Sequence, residues 1–213
     1  MSGRRAGLRT GGLVVLAAVV AGVGAGVAIH ALNSGGGSSG QDNPPGLHGQ
    51  ATWNPGERPA PDFRLPDQSG RPVSLVSLRG RTVMLAFFSS RCRRACAPEA
   101  RSLRTALRLL PPPARPALLI VSRDPSHDTP ASTRAAVARW GLGSAAAWHW
   151  LLGSRDQLAP VLRSYRVDDS GAGANAKAPV YLIDREGFER AGLLYPFPPG
   201  WPAGDLRILA AEG

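Results

Sequence analysis

Lysine is almost missing from this chain: of 25 basic residues in 213, Lys177 is the one lysine and the rest are arginine. Cysteine and methionine stand at two each and histidine at four. Two cysteines exclude a disulfide framework of the kind that staples small secreted domains. The arginines are spread through the chain in ones and twos, with no basic run interleaved with aromatics, so the net charge of +10 does not point to nucleic acid. It leaves a weak attraction to anionic membrane surfaces or acidic partners. No internal repeat is present. The run Ser170-Gly171-Ala172-Gly173-Ala174 lacks the Gly-Lys-Ser/Thr ending and the leading strand of a phosphate cradle.

What the chain does have is a pair, Cys92 and Cys96, in the stretch 89–98 that follows six apolar residues, Val83-Met84-Leu85-Ala86-Phe87-Phe88. The apolar run reads as a buried strand and residues 98–110 as a helix, which puts the cysteines at a strand-to-helix turn. The free N–H groups of a first helical turn, with Arg91, Arg93 and Arg94 alongside, favour thiolate over thiol. Two such thiolates close reversibly to a disulfide or clasp a soft ion such as Cu(I). An inert structural disulfide, or a pair of buried thiols, is the plainer alternative.

Residues 1–9 carry Arg4, Arg5 and Arg9 with no acid, and the twenty residues 10–29 carry no charge. That length crosses a bilayer as a helix. The exit lacks a small-x-small cleavage site, so residues 1–32 are expected to be a cytoplasmic basic stub and an uncleaved, single-pass membrane anchor, with all that follows on the extracytoplasmic side. A cleaved signal would leave the domain in the same compartment. Residues 33–57, rich in Gly, Ser, Pro, Gln and Asn, read as a flexible tether, with Trp53 as a docking contact near its end.

Residues 58–213 then read as one α/β domain with a core of its own. A hairpin spans residues 61–75, Val83 to Phe88 is the central strand, and three prolines at 111–113 end the first helix. A second apolar strand covers residues 117–122. Thr129 as N-cap, Pro130 at the first helical position and Gly141 as the stop bound the next helix. A short strand at 148–152, a helix at 155–165 capped by Ser154, a strand at 178–184, its partner at 188–194 and a short helix at 205–211 complete a central mixed sheet flanked by helices.

That order, with a cysteine pair after the first core strand and a proline opening a later one, resembles the thioredoxin fold. Within it the chain resembles the Sco/SenC family over residues 60–192. The match rests on Asp62-Phe63-x-Leu65, on Phe87-Phe88-Ser89-Ser90-Arg91-Cys92-x3-Cys96, on Val121-Ser122-x-Asp124-Pro125-x2-Asp128-Thr129-Pro130, on the stretch 151–167, and on Tyr181-Leu182-Ile183-Asp184-x2-Gly187. The resemblance implies a membrane-anchored, extracytoplasmic thioredoxin-like protein that binds copper, acts as a metallochaperone in cytochrome oxidase assembly, and whose thiol pair also serves as a dithiol reductant. The partner it implies is the copper-centre subunit of cytochrome c oxidase or another extracytoplasmic thiol protein.

The family's copper site adds to the two cysteines a histidine shortly before the Tyr-Leu-Ile-Asp strand; here Ala176 and Lys177 stand there. Metal ligands are therefore expected to be Cys92 and Cys96, with His127 as a substitute, because loops after parallel neighbouring strands leave the sheet at the same edge. Pro179 stands two residues before Tyr181, where thioredoxin-type oxidoreductases place a cis-proline, and joins Cys92 and Cys96 as a candidate catalytic residue; an ordinary strand-opening proline is the plainer reading. His149 is expected to pack at the core surface, while Asp124 and Asp128 are expected to act mainly as turn and cap residues. Three functions follow: copper delivery to, or thiol reduction of, the oxidase copper centre; general thiol–disulfide exchange, with Cys92 attacking and Cys96 resolving; or non-catalytic docking.

Overall fold

In the computed structural model, which describes residues 46–92, 96–168 and 178–212, eight strands and four α-helices follow in turn. They are β1 (Ala51–Thr52), β2 (Arg64–Pro66), β3 (Pro72–Ser74), β4 (Val83–Phe88), α1 (Cys96–Arg108), β5 (Ala117–Ser122), α2 (Pro130–Trp140), β6 (Trp148–Leu151), α3 (Arg155–Ser164), β7 (Pro179–Ile183), β8 (Glu189–Leu194) and α4 (Gly200–Ala211). Six strands form one sheet in the order β1-β8-β7-β4-β5-β6. Strands β4, β5 and β6 run parallel, while β7 is antiparallel to β4 and β8. The expected hairpin is the separate pair β2–β3.

Every residue of β4 and β5 is buried, because both faces of the sheet are covered. Met84, Ala86 and Phe88 enter the cluster shared with α1, α2 and α4; Val83, Leu85 and Phe87 enter the one shared with α3 and the hairpin. This alternation is the two-residue period of a strand sandwiched between helical layers. Helix α2 begins as the sequence predicts. Thr129 Oγ1 accepts from the Ser132 N–H at 3.1 Å, Ser132 Oγ accepts from the Thr129 N–H at 2.9 Å, and Gly141 ends the helix at φ 68°.

Two expectations change. The final helix starts at Gly200, a turn before the predicted 205. The segment 46–57, read as tether, is packed on the domain: Leu47 is buried, β1 pairs with β8, and the Gln50 side-chain amide bonds both the N–H and the C=O of Leu194. Trp53 docks as expected, its N–H donating to the Arg190 carbonyl at 3.0 Å and its ring lying 4.3 Å beneath the Arg58 guanidinium. The anchor expected at 1–32, the rest of the tether and the glycine-rich loop lie outside the described residues. Among the described residues no helix is long and apolar enough to cross a membrane.

Candidate thiol site

The site grows from the end of β4. Phe88 packs edge-on against Trp140 of α2 at 5.2 Å, fixing where the chain leaves the sheet. Ser89, Ser90 and Arg91 follow, and the Cys92 N–H closes a tight turn on the Ser89 carbonyl at 3.0 Å. Cys92 and Cys96 are joined in a disulfide with their Cα atoms 5.5 Å apart. Both sulfurs belong to the apolar cluster that holds Phe88, Ala100 and Leu103.

One sequence expectation about this pair is corrected: Cys92, expected to attack first, is the less exposed of the two, 1% accessible against 7% for Cys96. Cys96 lies in the first described turn of α1, and Cys92 precedes it in the chain. The apolar setting also changes the electrostatics, since burial favours thiol over thiolate while the helix start favours thiolate at Cys96. Arg91 is exposed, and Arg93 and Arg94 lie outside the described residues.

Because β4 and β5 are parallel neighbours, the loops that follow them meet, as the topology predicts. The contact is a hydrogen-bonded frame. The Ser90 N–H donates to Asp128 Oδ1 at 2.8 Å, and the Ser122 hydroxyl donates to Asp128 Oδ2 at 2.6 Å. Ser89 Oγ donates to Asp124 Oδ2 at 3.3 Å, and Arg139 Nη2 of α2 donates to the Ser90 carbonyl at 3.1 Å. Burial raises the Asp128 carboxyl above its usual range, against the hydrogen bonds from Ser122 and Ser90, and Asp124 pushes it further up. Asp128 is thus not the cap of α2, which is Thr129; its carboxylate instead fixes the backbone two residues before Cys92. The sequence offered only an Asp-x-Pro cap, and Arg139 had no signal at all, being one surface arginine among many.

His127 lies on the same loop, half exposed, with Nδ1 2.7 Å from Asp124 Oδ1. Among the described residues no group of three or more His, Cys, Asp and Glu side chains is placed to hold a metal, so His127 is not brought into one with the cysteines. With Ser90, Arg91, Ser132, Ala135 and Arg139 it lines a cleft of about 460 Å³ beside the disulfide segment.

Pro179 opens β7, and the register that sets Leu85 opposite Tyr181 carries it toward the end of β4 that leads to the cysteines. Its ring, however, lines a cavity of about 230 Å³ with Trp53, Arg58 and Tyr181. Tyr181 belongs to the cluster on the sheet face opposite the cysteines. The Ala178–Pro179 bond is trans; the cis bond among the described residues is Tyr195–Pro196. His149 packs at the core edge as expected, its Nδ1 3.0 Å from Asp67. His48 bonds the buried Asp205 at 2.9 Å, far along the chain from the site.

Comparison with known proteins follows the same frame. The SCO1/SenC family profile matches residues 52–190. The bovine (Bos taurus) mitochondrial SCO2 homolog is 35% identical over 128 residues, covering 58% of this chain and 46% of the relative, so the chain spans about half the length of that protein. The copper-bound structure of Bradyrhizobium japonicum ScoI is 25% identical with a TM-score of 0.58, covering 70% of this chain and 98% of that one. BsSco, described as a Sco-family cytochrome c oxidase assembly protein with a disulfide switch, is 19% identical with a TM-score of 0.63 over 78% of this chain and 98% of its own. The last likeness shows the fold, a mixed sheet between helical layers.

Proposed function

We propose a function that starts from one fact, that this chain belongs to the SCO1/SenC family: it acts in assembling the copper centre of cytochrome c oxidase, through Cys92 and Cys96. The observation that carries the redox part is the disulfide between them, formed beside a segment whose backbone is held by Asp128 and Arg139. A Cα separation of 5.5 Å lies within the range a disulfide needs, so closing and opening ask little of the backbone.

As the dithiol, the protein reduces a partner disulfide. The Cys96 thiolate, nearer the surface and at the start of α1, attacks one partner sulfur, forming a mixed disulfide and releasing the other as thiolate. The Cys92 thiolate then attacks Cys96 Sγ, closing the internal disulfide and releasing the second partner sulfur. Two electrons pass to the partner, and the two thiol protons end on its sulfurs. Copper is cargo for the same dithiol: two thiolates suit Cu(I), and the disulfide form has none to offer. In this reading residues 1–32 hold the domain at the extracytoplasmic membrane face.

A Cu(I) titration and a thiol redox titration on one preparation test the proposal. The dithiol is expected to take up one Cu(I), the disulfide none, and the couple to exchange with glutathione. Cys92→Ser is expected to accumulate a mixed disulfide with the partner and Cys96→Ser to accumulate none. Absence of both Cu(I) uptake and exchange would leave only the docking reading.

A further inference from the structure

We propose that the cleft between Arg91 and Arg139 is a carboxylate-binding subsite, which seats an acidic segment of the protein partner while that partner's sulfurs exchange with Cys92–Cys96. The inference rests on the redox reading above and adds how the partner is chosen.

Three observations carry it. The first is position: Ser90 and Arg91, which line the cleft, are the two residues before Cys92, and Arg139 reaches them from α2 by donating to the Ser90 carbonyl. The second is charge. Arg91 is exposed, and its guanidinium has neither a hydrogen bond nor an ion pair among the described residues; Arg139 uses one of its donors on Ser90 and likewise has no carboxylate partner. The carboxylates close by are already engaged, Asp124 with His127 and Ser89, and Asp128 with Ser90 and Ser122. The cleft wall therefore presents two uncompensated guanidiniums, the side chain best shaped to grip a carboxylate through paired N–H donors.

The third observation is access. The disulfide is nearly buried, with Cys96 at 7% and Cys92 at 1% exposure, so a partner's sulfur must be delivered in a fixed direction at the Cys96 side. A cleft of about 460 Å³ holds a side chain or two, and its polar wall of Ser90, Ser132 and His127 suits a charged group better than an apolar one. A carboxylate gripped there would align the partner's neighbouring sulfur, and the opposite charges would speed encounter. A free small thiol gains less, because it has no second point of attachment.

The test uses the full chain in its reduced form and two synthetic peptides, each with a Cys-x3-Cys disulfide, one flanked by glutamates and one by glutamines. The acidic peptide is expected to be reduced faster by about tenfold, as electrostatic steering gives, with the advantage shrinking as salt is raised. Arg91→Ala with Arg139→Ala should erase the advantage. Arg91→Lys with Arg139→Lys, which keeps the charge and guards against a folding defect, should retain part of it. Exchange with bis(2-hydroxyethyl) disulfide, a linear disulfide that carries no charge, is measured in every form and each peptide rate is divided by it, so that any effect of losing the Arg139 contact to Ser90 cancels; no exchange with it in the wild type would sink the redox reading rather than this one. Equal rates for the two peptides, or an advantage untouched by the alanine pair, would overturn the subsite. An equally large arginine dependence with oxidised glutathione would assign the cleft to a small thiol instead.

Discussion

Replacing Asp128 probes the frame of the site directly. Alanine removes the acceptor of the Ser90 N–H at 2.8 Å and of the Ser122 hydroxyl at 2.6 Å. The Ser90 amide loses a buried acceptor, which costs about 1–3 kcal/mol. The Ser122 hydroxyl already accepts from the Asp124 N–H and is free to rotate, so its loss adds about 0.5–1.5 kcal/mol. Against this, the buried carboxylate is itself under strain from desolvation, as its raised pKa shows, and removing it returns part of that cost. The expected net loss is about 2–3 kcal/mol, or roughly 4–12 °C in Tm for a domain of this size. Asparagine keeps an oxygen for Ser90 and offers an N–H₂ to a reversed Ser122 hydroxyl, so its loss should be only about 1 kcal/mol. Urea unfolding of the reduced and oxidised forms measures both. A loss below about 0.5 kcal/mol for alanine, or an asparagine variant as weak as alanine, would refute the claim that hydrogen-bond geometry at Asp128 holds the cysteine segment.

Three further outcomes are expected. His127→Ala should leave Cu(I) affinity within about twofold in competition with a chromophoric chelator, since two thiolates suffice for Cu(I); a tenfold drop would make the imidazole a ligand. Leu47→Ala should cost about 2–4 kcal/mol in urea unfolding, because Leu47 is buried in the main cluster, and an unchanged midpoint would mean that the segment 46–57 is not docked in solution. Asp205, buried on α4, has its pKa raised chiefly by that burial, against hydrogen bonds from His48. It therefore holds its proton to higher pH folded than unfolded, and its contribution to stability falls as pH rises from the ordinary aspartate value of 3.8 through the raised one. Asp205→Asn should flatten that part of the Tm-versus-pH curve, and a curve unchanged in shape would contradict the assignment.

The elements that could be read from sequence are those whose signal is local. Val83–Phe88 and Ala117–Ser122 are apolar throughout because both faces are covered, and Thr129, Pro130 and Gly141 mark α2 with capping chemistry of their own. Strand β1 is two residues long and exists only because β8 offers an edge, so a segment rich in Gly, Pro and Gln read as tether. Gly200, Pro202 and Gly204 look like helix breakers and shorten the predicted α4, yet Pro202 falls in the first turn, where no N–H is missed. At the site, the meeting of the cysteine segment with the loop 123–130 followed from parallel topology. The order of exposure of Cys92 and Cys96 did not, because it depends on how the pair sits against an apolar cluster built from many distant segments.

That cluster decides how copper and redox chemistry share one pair of sulfurs. A disulfide carries no charge and sits in the apolar cluster at no electrostatic cost, whereas two thiolates there repel each other and lack solvent. In such surroundings the uncharged thiol is the favoured form of a reduced cysteine. Cu(I) replaces those protons and leaves a single net negative charge on the complex, so loading must release protons to solution. Below the thiol pKa values the apparent Cu(I) affinity should fall by about a hundredfold per pH unit, the slope for two protons lost together. Competition against a chelator whose own affinity is constant over the range measures that slope. A slope near one proton would mean that one cysteine is already a thiolate, and Cys96 at the helix start is the one to expect. A flat profile would mean that the apolar surroundings seen in the disulfide form open on reduction, and that the site presented to copper is a different one.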